Sequence, residues 1–162
     1  MKIAVYAGTF DPITLGHQDI LTRAAHLFDK LILAIAVDNY KETFFTAQER
    51  VEIARQAVAE LPNVEVKQFS GLLVEFCRQE GAEVIIRGLR ALSDFDNEFQ
   101  IALMNKNVAP EIDSLFLMTA PEYQFVSSSI VKNFSKLGYL PDSIVAPCVA
   151  EALAAKLDKK EI

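Results

Sequence analysis

The stretch Ile3-Ala4-Val5-Tyr6-Ala7-Gly8-Thr9-Phe10-Asp11-Pro12-Ile13-Thr14-Leu15-Gly16-His17 decides the fold class. An apolar run of strand formers closes on Gly8 and is followed by a Thr-Phe-Asp-Pro turn. Beyond it the spacing of Ile20, Leu21, Ala24, Leu27 and Phe28 places one apolar stripe on a helix over Leu15–Phe28. Apolar character that is continuous, not alternating, marks a strand covered on both faces, as parallel sheets require. The opening residues therefore read as a strand, a turn and a crossover helix.

The same unit repeats along the chain. Leu31–Val37, Val64–Phe69, Val84–Ile86 and Leu115–Met118 are further strand candidates, and the alternation in Val64–Phe69 places that one nearer an edge. Thr46 and Glu49 form a capping-box pair ahead of Val51, Ala54, Val58 and Leu61. Leu72–Glu80 and Ser93–Asn107 supply two more helices, Val131 and Phe134 fall on another, and a last helix is predicted at about 147–160 after breaks at Pro141 and Pro147. The alternation predicts an α/β protein: one domain over residues 1–162, a Rossmann-like five-stranded parallel sheet flanked by helices on both faces.

Composition narrows the function classes. The 162 residues are 51% hydrophobic and 23% charged, enough for a full core without cross-links. Sixteen Lys and Arg against 22 Asp and Glu give a net charge of −6. That balance argues against a nucleic-acid coat or attraction to anionic lipid, which need a basic surface. No apolar run reaches the length of a membrane span and no signal peptide is read at the start, so a soluble cytoplasmic protein is expected. Cys77 and Cys148 read as buried thiols.

In such sheets the ligand crevice lies beyond the carboxyl ends of the strands. Three cations, Lys41, Arg87 and Arg90, follow strands in this acidic chain, which suits a small polyanion. Thr9 offers a hydroxyl and an amide, Gly8 and Gly16 allow close approach of a ligand, and His17 lies in the first turn of a helix, where free N–H groups attract anions. These parts converge on a phosphate; the plainer reading is a capping threonine and a surface histidine. The dinucleotide fingerprint, the Walker loop and the nucleophile elbow are all absent. His26 reads as a surface residue near a helix C-terminus, and the cysteines and histidines have no metal-ligand spacing.

Gly8-Thr9-Phe10-Asp11-Pro12 followed by Thr14-x-Gly16-His17 resembles the T/H-x-G-H signature of nucleotidyltransferases. Ile86-Arg87-Gly88-Leu89-Arg90, Asp94-Phe95-x-x-Glu98 and Tyr123-Gln124-Phe125-Val126-Ser127-Ser128-Ser129 then resemble, within that superfamily, the bacterial phosphopantetheine adenylyltransferases. The resemblance implies adenylyl transfer from ATP to 4′-phosphopantetheine, with Mg²⁺ bound mainly through substrate phosphates and no protein-held metal, in a homohexamer. It assigns Thr9, Lys41, Leu73 and Arg87 to the acceptor. Thr9, Phe10, His17, Gly88, Leu89, Arg90, Glu98 and the run Tyr123, Gln124, Phe125, Val126, Ser127, Ser128 and Ser129 go to the nucleotide. His17, Thr9, Lys41 and Arg90 are the expected catalytic set.

Each residue has a plainer alternative. Arg87 could line a solvated rim, Lys41 could be idle, and Glu98 could pair on its helix surface. Ser127–Ser129 could be a helix cap, Tyr123 and Phe125 core, and Leu73 helix packing. Among whole-protein readings, another adenylyl- or cytidylyltransferase of the superfamily shares the first motif. A non-catalytic nucleotide-binding module would keep that motif without acceptor contacts.

Overall fold

The computed structural model describes residues 1–37 and 42–159. Lys41, assigned above to the acceptor, lies outside them. Five strands form one sheet in the order β3-β2-β1-β4-β5, every neighbouring pair parallel. They are β1 (Ile3–Gly8), β2 (Lys30–Ala36), β3 (Val64–Phe69), β4 (Val84–Leu89) and β5 (Asp113–Met118). The helices are α1 (Leu15–Ala25), α2 (Ala47–Ala57), α3 (Leu73–Glu80), α4 (Leu92–Val108), α5 (Ser128–Lys136) and α6 (Pro147–Asp158).

The unbroken apolar runs are explained by burial on two sides. Ala4 and Tyr6 of β1, with Leu31, Leu33 and Ile35 of β2, face the core that α1, α2, α5 and α6 complete. Val5 and Ala7, with Ile32 and Ala34, face the opposite core, closed by Val74, Phe76 and Cys77 of α3 and by Ala109 and Ile112 after α4. Successive strand residues point to opposite faces, so a strand between two helical layers has no position left for a polar residue. β3 is an edge strand, as its alternation predicted: Val66 is buried while Lys67 reaches solvent and pairs with Glu80.

Three boundaries differ from the sequence reading. β4 continues through Leu89, because Arg87, Gly88 and Leu89 pair in register with Phe116, Leu117 and Met118. Arg87 and Gly88 therefore project from a strand and not from a loop. The first helix stops at Ala25, short of Phe28. There the Leu27 amide bonds back to Ala24, and Asp29 and Lys30 reach the carbonyl of Lys2 to begin β2. His26 caps that helix and bonds the Thr22 carbonyl at 2.7 Å, while Leu27 is exposed. The last helix ends at Asp158, two residues before the predicted limit.

Candidate active site

The strand order reverses between β1 and β4: the chain leaves one toward β2 and the other toward β5. Their carboxyl ends diverge there and open a crevice. A cavity of about 410 Å³ occupies this place, walled by Gly8 and Thr9 after β1, Arg87 and Gly88 of β4, and Ser127 at the start of α5.

The loop after β1 is held in an uncommon conformation. Phe10 has a φ of +48° without being glycine, a state costing on the order of 1–3 kcal/mol unless its surroundings impose it. They do: the ring is buried edge-on against Tyr6 at 5.3 Å and against His17 at 4.9 Å. Gly8 permits this packing, since a Cβ there would approach the Phe10 ring to 3.1 Å. The Thr9 side chain is exposed at the cavity wall, and its carbonyl accepts from Arg50 at 2.8 Å. Gly16 lines the cavity as well, and a Cβ there would meet Thr14, Tyr123 and Thr119 at ordinary contact distances of 3.5–3.6 Å.

Thr14 caps α1, and His17 occupies the position usually taken by Glu or Gln in a capping box. The Thr14 amide donates to His17 Nδ1 at 3.0 Å. A nitrogen that accepts carries no proton, so a neutral His17 bears its hydrogen on Nε2. Burial, reinforced by the positive charge of Arg90, pushes the imidazole down to a pKa of about 4. At neutral pH His17 is therefore an uncharged, oriented N–H donor at the cavity wall.

Arg87 and Glu98, assigned above to different substrates, are paired with each other. Nη2 of Arg87 donates to Oε1 of Glu98 at 2.6 Å, Nε donates to Oε2, and Nη1 reaches the carbonyl of Ala7 at 3.1 Å. Three of five N–H groups are thus engaged, leaving two for a ligand. Arg90 also lines the cavity, bonded at 3.3 Å both to Asp94 and to the carbonyl of Val126. Gly88 packs closely: a Cβ would lie 3.2 Å from Ile20 and from the Tyr6 hydroxyl.

Val126, Ser127, Ser128 and Ser129 complete the wall. Ser127 is the cap of α5, accepting from the Ile130 amide at 3.2 Å, and Ser128 donates to the Pro12 carbonyl at 2.8 Å. The cap reading and the anion reading coincide, because both use the start of one helix. Tyr123 packs against the core, Phe125 and Gln124 are exposed, and Leu89 lies half-buried on β4; none of the four lines this cavity. Leu73 begins α3 and packs against the opposite core.

A cytidylyltransferase-like family model matches residues 5–134. A phosphopantetheine adenylyltransferase of Moorella thermoacetica is 52% identical over 153 residues, covering 94% of this chain and 96% of that protein. One from Bordetella pertussis is 48% identical over 160 residues, 99% of this chain and 95% of its own length. The chain belongs to the phosphopantetheine adenylyltransferase family. The fold of this family member is shared by a solved structure described as a candidate nicotinate-nucleotide adenylyltransferase from Vibrio parahaemolyticus. That likeness has a TM-score of 0.72 at 19% identity, over 97% of this chain and 95% of that one.

Several residues around the cavity escaped the sequence reading. Tyr6 reads as strand core, yet it lines the cavity, and burial raises its hydroxyl pKa well above the usual range. Thr14, by contrast, is part of the quoted signature, and it caps the helix three residues before His17. Arg50 carries none: it sits inside an amphipathic helix and is buried at 2% exposure, where it binds the carbonyls of Thr9 and Ala36. Asn97 also reaches the wall and has no motif of its own, whereas Thr119 is signalled by its place just after the last strand.

Proposed function

We propose that this chain transfers the adenylyl group of ATP to 4′-phosphopantetheine, releasing pyrophosphate and giving dephospho-coenzyme A, in cytoplasmic coenzyme A synthesis. The observation that carries this reading is the kind of chemistry gathered at the switch point. His17, Arg87 and Arg90 present donors and positive charge beside two helix starts, and the contact of the Thr14 hydroxyl with His17 Nδ1 at 3.1 Å belongs to the helix cap, where that hydroxyl also accepts from the His17 amide. The names and coverage of the relatives support the acceptor.

A phosphate acceptor brings its own nucleophilic oxygen. That oxygen bonds to the α-phosphorus as the bond to the bridging oxygen breaks, and the electron pair leaves with pyrophosphate. The protein's part is to align both substrates and stabilise charge on the five-coordinate phosphorus. His17 donates from Nε2 to that charge without changing its own protonation. Arg90 serves the nucleotide phosphates, together with the amide of Phe10, Gly88 and Val126 to Ser129 of the cavity wall, and Glu98 orients Arg87; Leu89, Tyr123, Gln124 and Phe125, outside that wall, are assigned to the nucleotide by the family resemblance alone. Thr9, Lys41, Leu73 and Arg87 serve the acceptor, Thr9 standing between the two substrates.

A Mg²⁺ ion is assigned to the nucleotide phosphates. Among the described residues no group of three or more His, Cys, Asp or Glu could hold a metal, and the cavity carboxylates Asp94 and Glu98 are committed to arginines. When bound with ATP, the ion would neutralise phosphate charge. Assembly as a homohexamer belongs to the same reading. It is consistent with Phe99, Ile101, Leu103 and Met104, which α4 leaves exposed, and light scattering on the purified chain checks it. No helix among the described residues is long and apolar enough to cross a membrane.

The test is pyrophosphate release with ATP, Mg²⁺ and, in parallel, phosphopantetheine, nicotinate mononucleotide or glycerol phosphate. Turnover with phosphopantetheine alone is expected; preference for another acceptor overturns the assignment. Direct transfer further requires inversion at an α-phosphorus made chiral by thio-substitution. Retention, or exchange of labelled pyrophosphate into ATP without acceptor, would reveal an adenylyl-enzyme.

A further inference from the structure

Asp11 is a buried carboxylate in a loop that has to receive phosphates. It directly follows Thr9 and Phe10, is 4% exposed, and accepts from three donors. Oδ1 takes the amide of Phe45 at 2.9 Å, while Oδ2 takes the amide of Phe44 at 2.8 Å and Nζ of Lys132 at 2.9 Å. The two amides lie just before α2, and Lys132 lies on α5, whose Ser128 and Ser129 line the cavity. One carboxylate thus gathers the loop after β1, the chain entering α2 and the helix behind the serines.

Arg50 holds the same loop from the other flank, donating from one nitrogen at 2.8 Å both to the Thr9 carbonyl and to the Ala36 carbonyl at the end of β2. Neither Asp11 nor Arg50 lines the cavity. Phe10, between Thr9 and Asp11, is the residue at φ +48°, a conformation that persists only where its surroundings over-determine it. A buried carboxylate so close to an anion site would repel the ligand unless neutralised, and the Lys132 ammonium does this at ion-pair distance.

We infer that Asp11 and Lys132 form a positioning pair for adenylyl transfer. Asp11 locks the strained loop that presents Thr9 and Phe10 to the phosphates, and Lys132 cancels the charge the lock would otherwise project into the site. Neither touches the reacting atoms. This inference rests on the function proposed above.

Asp11→Asn keeps the volume but places an NH₂ against a donor, and Lys132→Met leaves the carboxylate unneutralised. In protein with native circular dichroism, Asp11→Asn is expected to lower kcat on the order of 10- to 100-fold while moving the KM for ATP much less. Lys132→Met is expected to weaken ATP binding by about 5-fold or more in calorimetric titration, most strongly at low ionic strength. Adding Asp11→Asn to Lys132→Met should then restore part of that ATP affinity, a reversal that a purely structural pair does not produce. Unchanged kcat in folded Asp11→Asn, or a double variant that binds ATP no better than Lys132→Met, overturns the inference. Should Asp11→Asn not fold, the size and salt dependence of the Lys132→Met effect decide alone. Wild-type chain that binds ATP but makes no dephospho-coenzyme A defeats the proposed function, while the ATP titrations still judge the pair.

Discussion

Arg87 of β4 and Glu98 of α4 face each other on one wall of the cavity as a two-pronged ion pair. The side chains are 23% and 15% exposed, so neither charge is well solvated without its partner. An arginine expected to serve the acceptor and a glutamate expected to serve the nucleotide are therefore one unit.

Arg87→Ala is accordingly expected to impair ATP as well as phosphopantetheine binding, because it frees a carboxylate beside the phosphates. Adding Glu98→Gln should recover ATP affinity but not acceptor affinity. Each hydrogen bond from Arg87 to the acceptor phosphate contributes about 1.5–3 kcal/mol. Calorimetric titration of both ligands against both variants checks this; if Arg87→Ala leaves ATP binding at the wild-type level, the coupling is absent.

His17→Ala should fold normally and lose at least about 10²-fold in turnover, the scale for removing one donor from developing charge. His17 lies at a helix start and contributes little to either core. Steady-state kinetics beside circular dichroism measures it, and wild-type turnover in the folded variant removes His17 from the mechanism.

The pH dependence has a definite sign. The folded protein holds His17 at a pKa of about 4, below the usual 6.5, so between these values the unfolded chain binds the extra proton. This residue's share of the stability is intact above pH 6.5 and is lost as the pH falls to about 4. Thermal melts should thus show a smaller drop from pH 7 to pH 4.5 in His17→Asn than in wild type. Since the imidazole stays neutral from pH 5 upward, kcat should show no step near pH 6.5 that vanishes in the variant.

Gly8→Ala tests the packing under the loop. Its Cβ would press on the Phe10 ring at 3.1 Å, and that ring lies edge-on against His17. A loss of about 1–3 kcal/mol in stability is expected, with kcat reduced on the order of tenfold. Denaturant unfolding and kinetics on the same preparation read both effects, and wild-type values in each would show that the ring has room to move.

The layers and the place of the site were legible along the linear chain. Unbroken runs such as Leu31–Ile35, bounded by helix patterns, indicated strands covered on both faces, and the alternating Val64–Phe69 marked the edge. Thr9, His17, Arg87 and Arg90 were legible because each belongs to a short local pattern around the carboxyl end of a strand, Arg87 within it, Thr9 and Arg90 just past it and His17 in the helix that follows, and local patterns survive in one dimension. How those residues pair emerged from the packing of the layers. Glu98 meets Arg87 across a strand and a helix, Arg50 reaches Thr9 from another crossover, and Lys132 meets Asp11 across 121 positions. The reason is physical: a buried charge must find its partner wherever packing brings one within about 3 Å, and that distance is set by how the layers stack, not by spacing along the chain.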